Sequence, residues 1–250
     1  MRVAILSDIH ANLRALDAIL AEAGAVDAVW HLGDVVGYGP DPDAVVDRLR
    51  ERRAIGVQGN HDLAATGDDV IRDFNPDARA AMEWTRRTIA PSTLDWLAAL
   101  PLRQVVEACS LVHGSPRDPT WEYIVTESVA AANLELLPTA HGFFGHTHVP
   151  IAYVLAGDLV AGDPPARGDV ATLRPESGAQ LSLHGRRALV NPGSVGQPRD
   201  GDPRASALIL DTSGERVTWI RAAYDIEATQ RAMHAARLPT RGIARLSLGI

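Results

Sequence analysis

The sequence predicts an α/β fold, because strand and helix patterns alternate through its first quarter. Residues 2–7 form an apolar run typical of a buried strand, and residues 12–23 carry apolar side chains at helical spacing before Gly24. The next predicted elements are a strand over residues 27–32, a helix over 42–52 and a strand over 54–57. Such alternation favours parallel strands that pack against helices.

The middle of the chain is predicted to be mainly helical, and the last hundred residues mainly β. Helices are predicted over residues 75–88, 92–100 and 126–136, with a strand pair over 102–107 and 108–112. Later strands are predicted over residues 151–155, 180–183, 188–190, 206–211 and 216–222, followed by a helix over 226–236 and a frayed tail. Residues 157–178, rich in Gly, Pro and Asp, predict a surface loop or hairpin insertion in one domain that spans 1–250.

The composition excludes several classes of function. The chain has 250 residues, 46% of them hydrophobic, and a formal net charge of −7, without the Lys/Arg-rich run that nucleic-acid binding by counterion release requires. The same charge disfavours an anionic membrane surface. The apolar run at residues 3–6 is too short for a signal peptide or a membrane span, so we expect a cytoplasmic protein. Cys109 is the only cysteine, which excludes an intrachain disulfide and a cysteine zinc cluster.

Five short segments carry side chains of the types that bind metal ions. They are Asp8-Ile9-His10, Gly33-Asp34, Asn60-His61-Asp62, His113-Gly114 and His146-Thr147-His148. Asp34 and Asn60 follow predicted strands, at the carboxyl ends where open α/β sheets build their sites. In the first and last segments the polar side chains are two residues apart, so an extended backbone would point them the same way. One such segment alone means little, but five together indicate a two-metal site.

The donor set predicts two divalent ions per chain. Imidazole, carboxylate and amide donors together suit manganese, iron or zinc better than calcium or magnesium. We expect manganese, with iron, zinc or nickel as alternatives. Asp34 stands alone in its segment and is the candidate bridging carboxylate, which would hold the ions roughly 3.5–4 Å apart. Asp8 and Asp34 against two divalent cations leave a charge of about +2, which favours a bridging hydroxide and a phosphate anion.

This layout resembles the calcineurin-like metallophosphoesterase superfamily over nearly the whole chain. Three stretches are similar to its small bacterial and archaeal phosphodiesterase branch. They are Gly33-Asp34-Val35-Val36-Gly37-Tyr38-Gly39-Pro40, His113-Gly114-Ser115-Pro116-Arg117 and Asn191-Pro192-Gly193-Ser194-Val195-Gly196-Gln197-Pro198-Arg199. The resemblance implies a four-layer α/β/β/α sandwich with two mixed sheets.

The resemblance also implies a role for each site residue. One metal would be held by Asp8, His10, Asp34 and His148, and the other by Asp34, Asn60, His113 and His146. His61 matches the family's non-ligand histidine, which stabilises the transition state or protonates the leaving oxygen. The implied activity is metal-dependent hydrolysis of phosphate esters, most simply small phosphodiesters, by a bridging hydroxide.

One departure from the superfamily concerns the substrate. Its protein phosphatases carry Gly-Asp-x-x-Asp-Arg-Gly, in which the second Asp orients the catalytic His and the Arg binds phosphate. Gly37 and Tyr38 occupy those positions here. Arg199, Arg117 or Arg204 would have to replace the lost phosphate contact, and Tyr38 is a further candidate for contact with substrate.

Two alternatives stay open at this point. The first is hydrolysis of a nucleotide or a diadenosine polyphosphate. The second is a non-catalytic, metal-bearing interaction scaffold, as in a retromer subunit that shares the superfamily's fold. The presence of every expected ligand together with His61 favours an enzyme with a small phosphate-ester substrate.

Overall fold

Two six-stranded mixed sheets form the centre of the computed structural model, which describes residues 1–67, 70–155 and 170–250. The first sheet has the order β3 (Ile55–Gly56), β2 (Ala28–His31), β1 (Arg2–Leu6), β11 (Ala205–Asp211), β12 (Arg216–Ala222) and β9 (Gln180–Ser182). The second has the order β4 (Arg103–Val106), β5 (Cys109–Val112), β6 (His141–Phe143), β10 (Ala188–Pro192), β7 (Pro150–Leu155) and β8 (Val170–Leu173).

The helices lie on the outer faces of the sheets. They are α1 (Leu13–Ala23), α2 (Pro42–Glu51), α3 (Asn60–Thr66), α4 (Pro76–Thr88), α5 (Pro91–Ala98), α6 (Glu127–Leu136), α7 (Ile226–Ala235) and α8 (Thr240–Leu246), with a 3₁₀ turn at Val70–Asp73. Local signals set several of their ends. The Asn12 side chain caps α1 by accepting from the Ala15 amide, and Gly24 ends the helix with a φ of 65°. Within the described residues, no helix has the length and apolarity to span a membrane.

Three apolar layers separate four layers of secondary structure. Along β1, Val3 and Ile5 pack into the core between the sheets, where Trp30 and Phe143 also lie. The alternate residues of β1 pack against the helices on the outer face. A third cluster joins α6 to the outer face of the second sheet, with Leu134 among its buried members. The predicted α/β/β/α sandwich with two mixed sheets is confirmed.

The structure contains several elements that the sequence prediction does not specify, among them strand β6. Helix α3 is not predicted, because its seven residues show no apolar repeat. The tail predicted to be frayed contains α8, whose Ile243 and Leu246 are buried against α4 and α7. Strand β8 lies within residues 157–178, the predicted loop or hairpin insertion, and pairs with β7. Residues 156–169 of that segment are outside the described residues.

The strand directions bring the ends of several strands to one edge of the sandwich. Strands β1, β2 and β3 are parallel to one another, and so are β5, β6 and β10. Because the carboxyl ends of parallel strands lie at the same edge, the segments that follow them meet there. This edge carries the candidate site.

Candidate metal centre

The seven predicted ligands follow five strands and converge between the sheets. They are Asp8 and His10 after β1, Asp34 after β2, Asn60 after β3, His113 after β5, and His146 and His148 after β6. All seven side chains are buried. Residues far apart in the chain therefore form one compact cluster.

The first group of ligand atoms contains Asp8, His10, Asp34 and His148, all within 4.8 Å of one another. The Nε2 atom of His148 lies 3.3 Å from Asp8 Oδ1 and 3.2 Å from the Nε2 atom of His10. A pair of carboxylates with a pair of imidazoles is a donor set that accepts a divalent transition metal.

The second group contains Asp34, His113 and His146, again within 4.8 Å. The Nε2 atom of His113 lies 3.4 Å from Asp34 Oδ2, 3.1 Å from His146 Nδ1 and 3.0 Å from the amide oxygen Oδ1 of Asn60. Asp34 thus belongs to both groups and lies between them.

The surroundings of two buried carboxylates, Asp8 and Asp34, show whether a cation fits this cluster. Burial raises the pKa of Asp8 to about 7, and neither of its carboxyl oxygens has a hydrogen-bond partner among the described residues. Burial alone would also raise the pKa of Asp34, but the charges of His113 and His61 hold it well below its usual range. Burying carboxylate oxygens without a donor is costly. A divalent cation removes that cost, so the residues fit a metal ion.

Main-chain carbonyl groups fix the orientation of three of the histidine rings. Nδ1 lies 3.2 Å from the Val36 carbonyl in His10, 2.8 Å from the Leu32 carbonyl in His113, and 2.6 Å from the Gln197 carbonyl in His148. A proton on Nδ1 leaves the Nε2 lone pair directed at the centre, as a ligand requires. Burial holds the pKa of His10 and His148 well below the usual histidine value, which keeps both rings neutral.

The backbone at five of the ligands is in the left-handed region. This corrects the prediction that an extended backbone brings together the side chains of Asp8 and His10 and those of His146 and His148. The φ angles are 52° at Asp8, 49° at His10, 51° at Asp34, 65° at His146 and 60° at His148. The pairs are thus held in tight turns, where the sequence predicts an extended backbone. Such conformations cost about 1–3 kcal/mol each and concentrate at functional sites.

His61 lies beside both groups and is enclosed by other rings. Its centroid is 4.6 Å from those of Tyr38 and Phe74 and 4.8 Å from that of His10. Its Nδ1 atom lies 3.3 Å from the sulfur of Met82, on α4. Burial lowers the pKa of His61 to about 4. The ring is therefore held by packing and a thioether, without a carboxylate partner among the described residues.

Gly37 explains why no carboxylate reaches His61 from the position that protein phosphatases use. Its φ is +90°, and a Cβ there would lie 2.4 Å from His61 Nδ1 and 2.9 Å from the Met82 sulfur. Both values are too short for an undisturbed contact, so the packing of His61 and Met82 excludes a side chain at this position. The sequence shows the missing Asp but has no signal for Met82.

Hydrogen bonds of Asp62 connect the turn that follows Asp34 with the turn that precedes His61. Its carboxylate accepts hydrogen bonds from the amides of Val35 and Val36, at 2.8 and 3.1 Å, and of Gly59, at 3.0 Å. It does not act on the His61 ring. The sequence does not reveal this role, because a contact with the 33–36 turn depends on the tertiary fold.

A cavity of about 140 Å³ opens over the two ligand groups. Its described walls are Asp34, Tyr38, Asn60, His61, Asp73, Phe74, Asn75, Ala78, Trp121, Tyr123, His146, His148, Arg199 and Arg245. The cavity therefore combines metal-binding side chains with aromatic rings and two guanidinium groups.

Of the three arginines that the sequence offers for phosphate contact, the structure brings only Arg199 to the cavity wall that it describes. The Arg199 guanidinium carbon lies 6.0 Å from the Tyr38 ring centroid, and its buried Nε has no hydrogen-bond partner among the described residues. Arg117 forms an ion pair with Glu122. Arg204 forms one with Asp202.

The comparison with known proteins decides the family. The model of the calcineurin-like phosphoesterase superfamily domain matches residues 1–215. The chain belongs to this superfamily. This metallophosphoesterase is similar to the crystal structure of a metallophosphoesterase from Sphaerobacter thermophilus, with 42% identity and a TM-score of 0.87 over 100% of this chain and 99% of that one.

Two curated relatives carry names that state an activity. Phosphodiesterase YfcE of Escherichia coli is 26% identical over 221 residues, which cover 84% of this chain and 87% of that protein. The symmetrical bis(5'-nucleosyl)-tetraphosphatase of Erwinia tasmaniensis is 28% identical over 189 residues, 70% of this chain and 64% of that protein. This metallophosphoesterase is thus a phosphoester hydrolase of a family that depends on divalent metals.

Proposed function

We propose that this metallophosphoesterase hydrolyses small phosphodiesters at a dinuclear metal site. The observation that carries the proposal is that Asp34 belongs to both groups of ligand atoms. Asp8, His10, Asp34 and His148 would hold one ion, and Asp34, Asn60, His113 and His146 the other. When bound, two divalent ions supply an activated water and neutralise charge on the phosphate.

His61 is the proposed acid for the leaving group. It lines the cavity next to the ligands, and Met82, Tyr38 and Phe74 hold its ring in place. With Nδ1 directed at the Met82 sulfur, Nε2 is the ring atom available to a substrate. Burial keeps the free ring neutral, and an anionic substrate beside it would favour the protonated form, whose Nε2 proton would pass to the departing oxygen when the P–O bond breaks.

Arg199 is the proposed protein contact to the phosphate. Its guanidinium faces the cavity over Tyr38, and its buried Nε–H group has no acceptor among the described residues. A phosphate oxygen is the acceptor that this donor lacks, and Arg–phosphate hydrogen bonds are strong because both partners are charged. Tyr38, the further candidate for contact with substrate, lines the same cavity, with its ring centroid 6.0 Å from the Arg199 guanidinium carbon.

The preference for a diester follows from the surroundings of His61. A monoester dianion depends more strongly on guanidinium groups than a diester, which carries one negative charge at phosphorus, so a single guanidinium at the metal end, that of Arg199, favours the diester. The position of the protein-phosphatase arginine is Tyr38 here, and Gly37 leaves no space for the accompanying Asp. The name of the Escherichia coli relative supports a diester, and that of the Erwinia relative supports a nucleotide polyphosphate, in which each internal phosphate is also diester-like.

The metal assignment, manganese, rests on the mixed nitrogen and oxygen donors. The proposed cytoplasmic location rests on the short apolar run at residues 3–6, which is not long enough for a signal peptide or a membrane span. A non-catalytic scaffold has no support from the two relatives named above, and the buried, complete donor set favours catalysis.

Substitution of Asp34 by Asn is expected to weaken the binding of both metal ions, whereas Asp8→Asn should weaken the binding of one. The reason is that Asp34 contributes ligand atoms to both groups and Asp8 to the first group only. Metal content after dialysis, measured by elemental analysis, should fall from about two ions per chain to fewer than one for Asp34→Asn and to about one for Asp8→Asn. Two tightly held ions in Asp34→Asn would show that Asp34 does not bridge.

The substrate preference tests the proposed function. With manganese present, kcat/KM for an aryl phosphodiester is expected to exceed that for the matched monoester, and that for a phosphoserine peptide, by about tenfold or more, the value of one lost charge-assisted hydrogen bond. The same leaving group in both esters isolates the charge at phosphorus. A higher kcat/KM for the phosphopeptide would overturn the diester proposal.

A further inference from the structure

The last helix of the chain brings a second arginine to the cavity that holds the metal ligands. Arg245 lies on α8 between the buried Ile243 and Leu246, which pack against Ala81 of α4 and Met233 of α7. This anchorage fixes the direction of the helix, and the Arg245 side chain forms part of the cavity wall. No part of the proposed hydrolysis at the metals requires this arginine.

Arg199 and Arg245 line the same cavity. The pKa of Arg245 is lowered by burial and by the charge of Arg199. Arg199 donates to the side-chain oxygen of Gln197, 2.8 Å away, and Arg245 Nε donates to the carbonyl oxygen of Ile250. Among the described residues neither guanidinium forms an ion pair with an Asp or Glu, and Asp73 at the cavity wall is exposed. Two cations that line one cavity without an Asp or Glu partner favour the binding of an anion there.

The two arginines act on different parts of the cavity. Arg199 lies at the metal end, because its main-chain amide donates to the carbonyl group of the ligand His148, 3.3 Å away. Arg245 lies on α8, whose Ile243 and Leu246 belong to the cluster against which Tyr38 packs. The Tyr38 ring centroid is 6.0 Å from the guanidinium carbon of Arg199. The order from the metal ligands outward is therefore Arg199, then Arg245.

We propose that Arg245 binds a second phosphate group, next to the one positioned at the metal ligands, so that the substrates are pyrophosphate-linked nucleotides. This inference rests on the proposed function. Water would supply an oxygen to the phosphorus at the metal ligands, and the bond from that phosphorus to the bridging oxygen would break. The bridging oxygen leaves with the phosphate held by Arg245, and the two protons of water pass to the products or the solvent.

The size and rim of the cavity agree with this substrate class. A volume of about 140 Å³ suits phosphate groups and is too small for a whole nucleotide, for which sites of about 300 Å³ or more are usual. The remainder of the substrate would lie at the opening. Tyr123 is 48% exposed there and stacks on His146 at 3.9 Å between centroids, which offers an aromatic face for a base.

Binding of inorganic pyrophosphate and phosphate tests Arg245 without turnover. By calorimetry on the manganese-loaded protein with excess free manganese, Arg245→Gln is expected to weaken pyrophosphate binding by about tenfold to a hundredfold, and phosphate binding by less than about threefold. Arg245→Lys should recover part of the loss because it retains the charge. The matched control is Arg241→Gln on the same helix, since Arg241 is 79% exposed and pairs with Asp77.

Kinetics distinguish this inference from the proposed function. The ratio of kcat/KM for diadenosine tetraphosphate to that for an aryl diester should fall about tenfold or more in Arg245→Gln and stay constant in Arg241→Gln. An inactive wild-type protein on all these substrates would overturn the proposed function. Normal diester hydrolysis with an unchanged ratio would overturn only the role of Arg245. If Arg245→Gln does not fold, the wild-type protein provides the test. Equal affinities of the wild-type protein for pyrophosphate and phosphate would also overturn the role of Arg245.

Discussion

Removal of divalent metal ions is expected to reduce hydrolysis of an aryl phosphodiester to the uncatalysed rate, and added manganese is expected to restore it. The described cavity wall contains no Ser, Thr, Cys or Lys, and the proposed nucleophile is a water that bound metal would activate. Asp8 and Asp34 are buried beside each other, and the oxygens of Asp8 have no hydrogen-bond donor among the described residues, so a bound cation would stabilise both charges. The measurement is turnover before and after chelation, with metal content determined in the same samples.

Circular dichroism of the metal-free protein serves as the control for unfolding. His184→Gln is the matched control for the loss of a histidine outside the metal site, because His184 lies on the surface and pairs with Glu215. This variant should keep wild-type metal content and restored activity. Undiminished turnover by folded protein free of metal would contradict a metal-dependent reaction.

Substitution of His61 by Gln or Ala is expected to slow hydrolysis of alkyl diesters by a factor on the order of 10²–10⁴, the usual contribution of general acid–base catalysis. The residue belongs to neither ligand group, so metal content should be unchanged. Aryl esters with good leaving groups should lose much less activity, because their departing oxygen needs no proton. Rates for a series of esters of increasing leaving-group pKa measure this dependence.

An equal loss for alkyl and aryl esters would contradict the role of acid and leave His61 as an electrostatic support. Loss of one ion in the His61 variants would contradict its position outside the ligand groups. His184→Gln again provides the comparison, since it changes a histidine without touching the cavity.

The sequence predicts most of the fold because its signals are local. The Asn12 cap, the Gly24 end and the apolar spacing between them identify α1 without reference to any other element. Helix α8 escapes prediction for the opposite reason. Its seven residues are stabilised by packing of Ile243 and Leu246 against α4 and α7, a contact between segments far apart in the chain.

The metal-binding side chains are also recognisable in the sequence, as types of residue after strands. From the spacing of these side chains we predict that an extended backbone brings them together. The structure instead has a left-handed backbone at five of the seven ligands. The partner of His61 and the second arginine have no sequence signal. Met82 and Arg245 are ordinary helical residues until the fold brings them to the cavity.

The sequence by itself determined the α/β class, the seven candidate ligands and the absence of protein-phosphatase side chains at Gly37 and Tyr38. Those features depend on residue type and on neighbours along the chain. The sequence also offers Asp34 as the shared carboxylate, but only the tertiary structure brings its oxygens close to both ligand groups. Only the structure places Met82 against His61 and decides which arginines line the cavity. Distances between segments decide such contacts, and these distances follow from how the two sheets and the helices around them pack together.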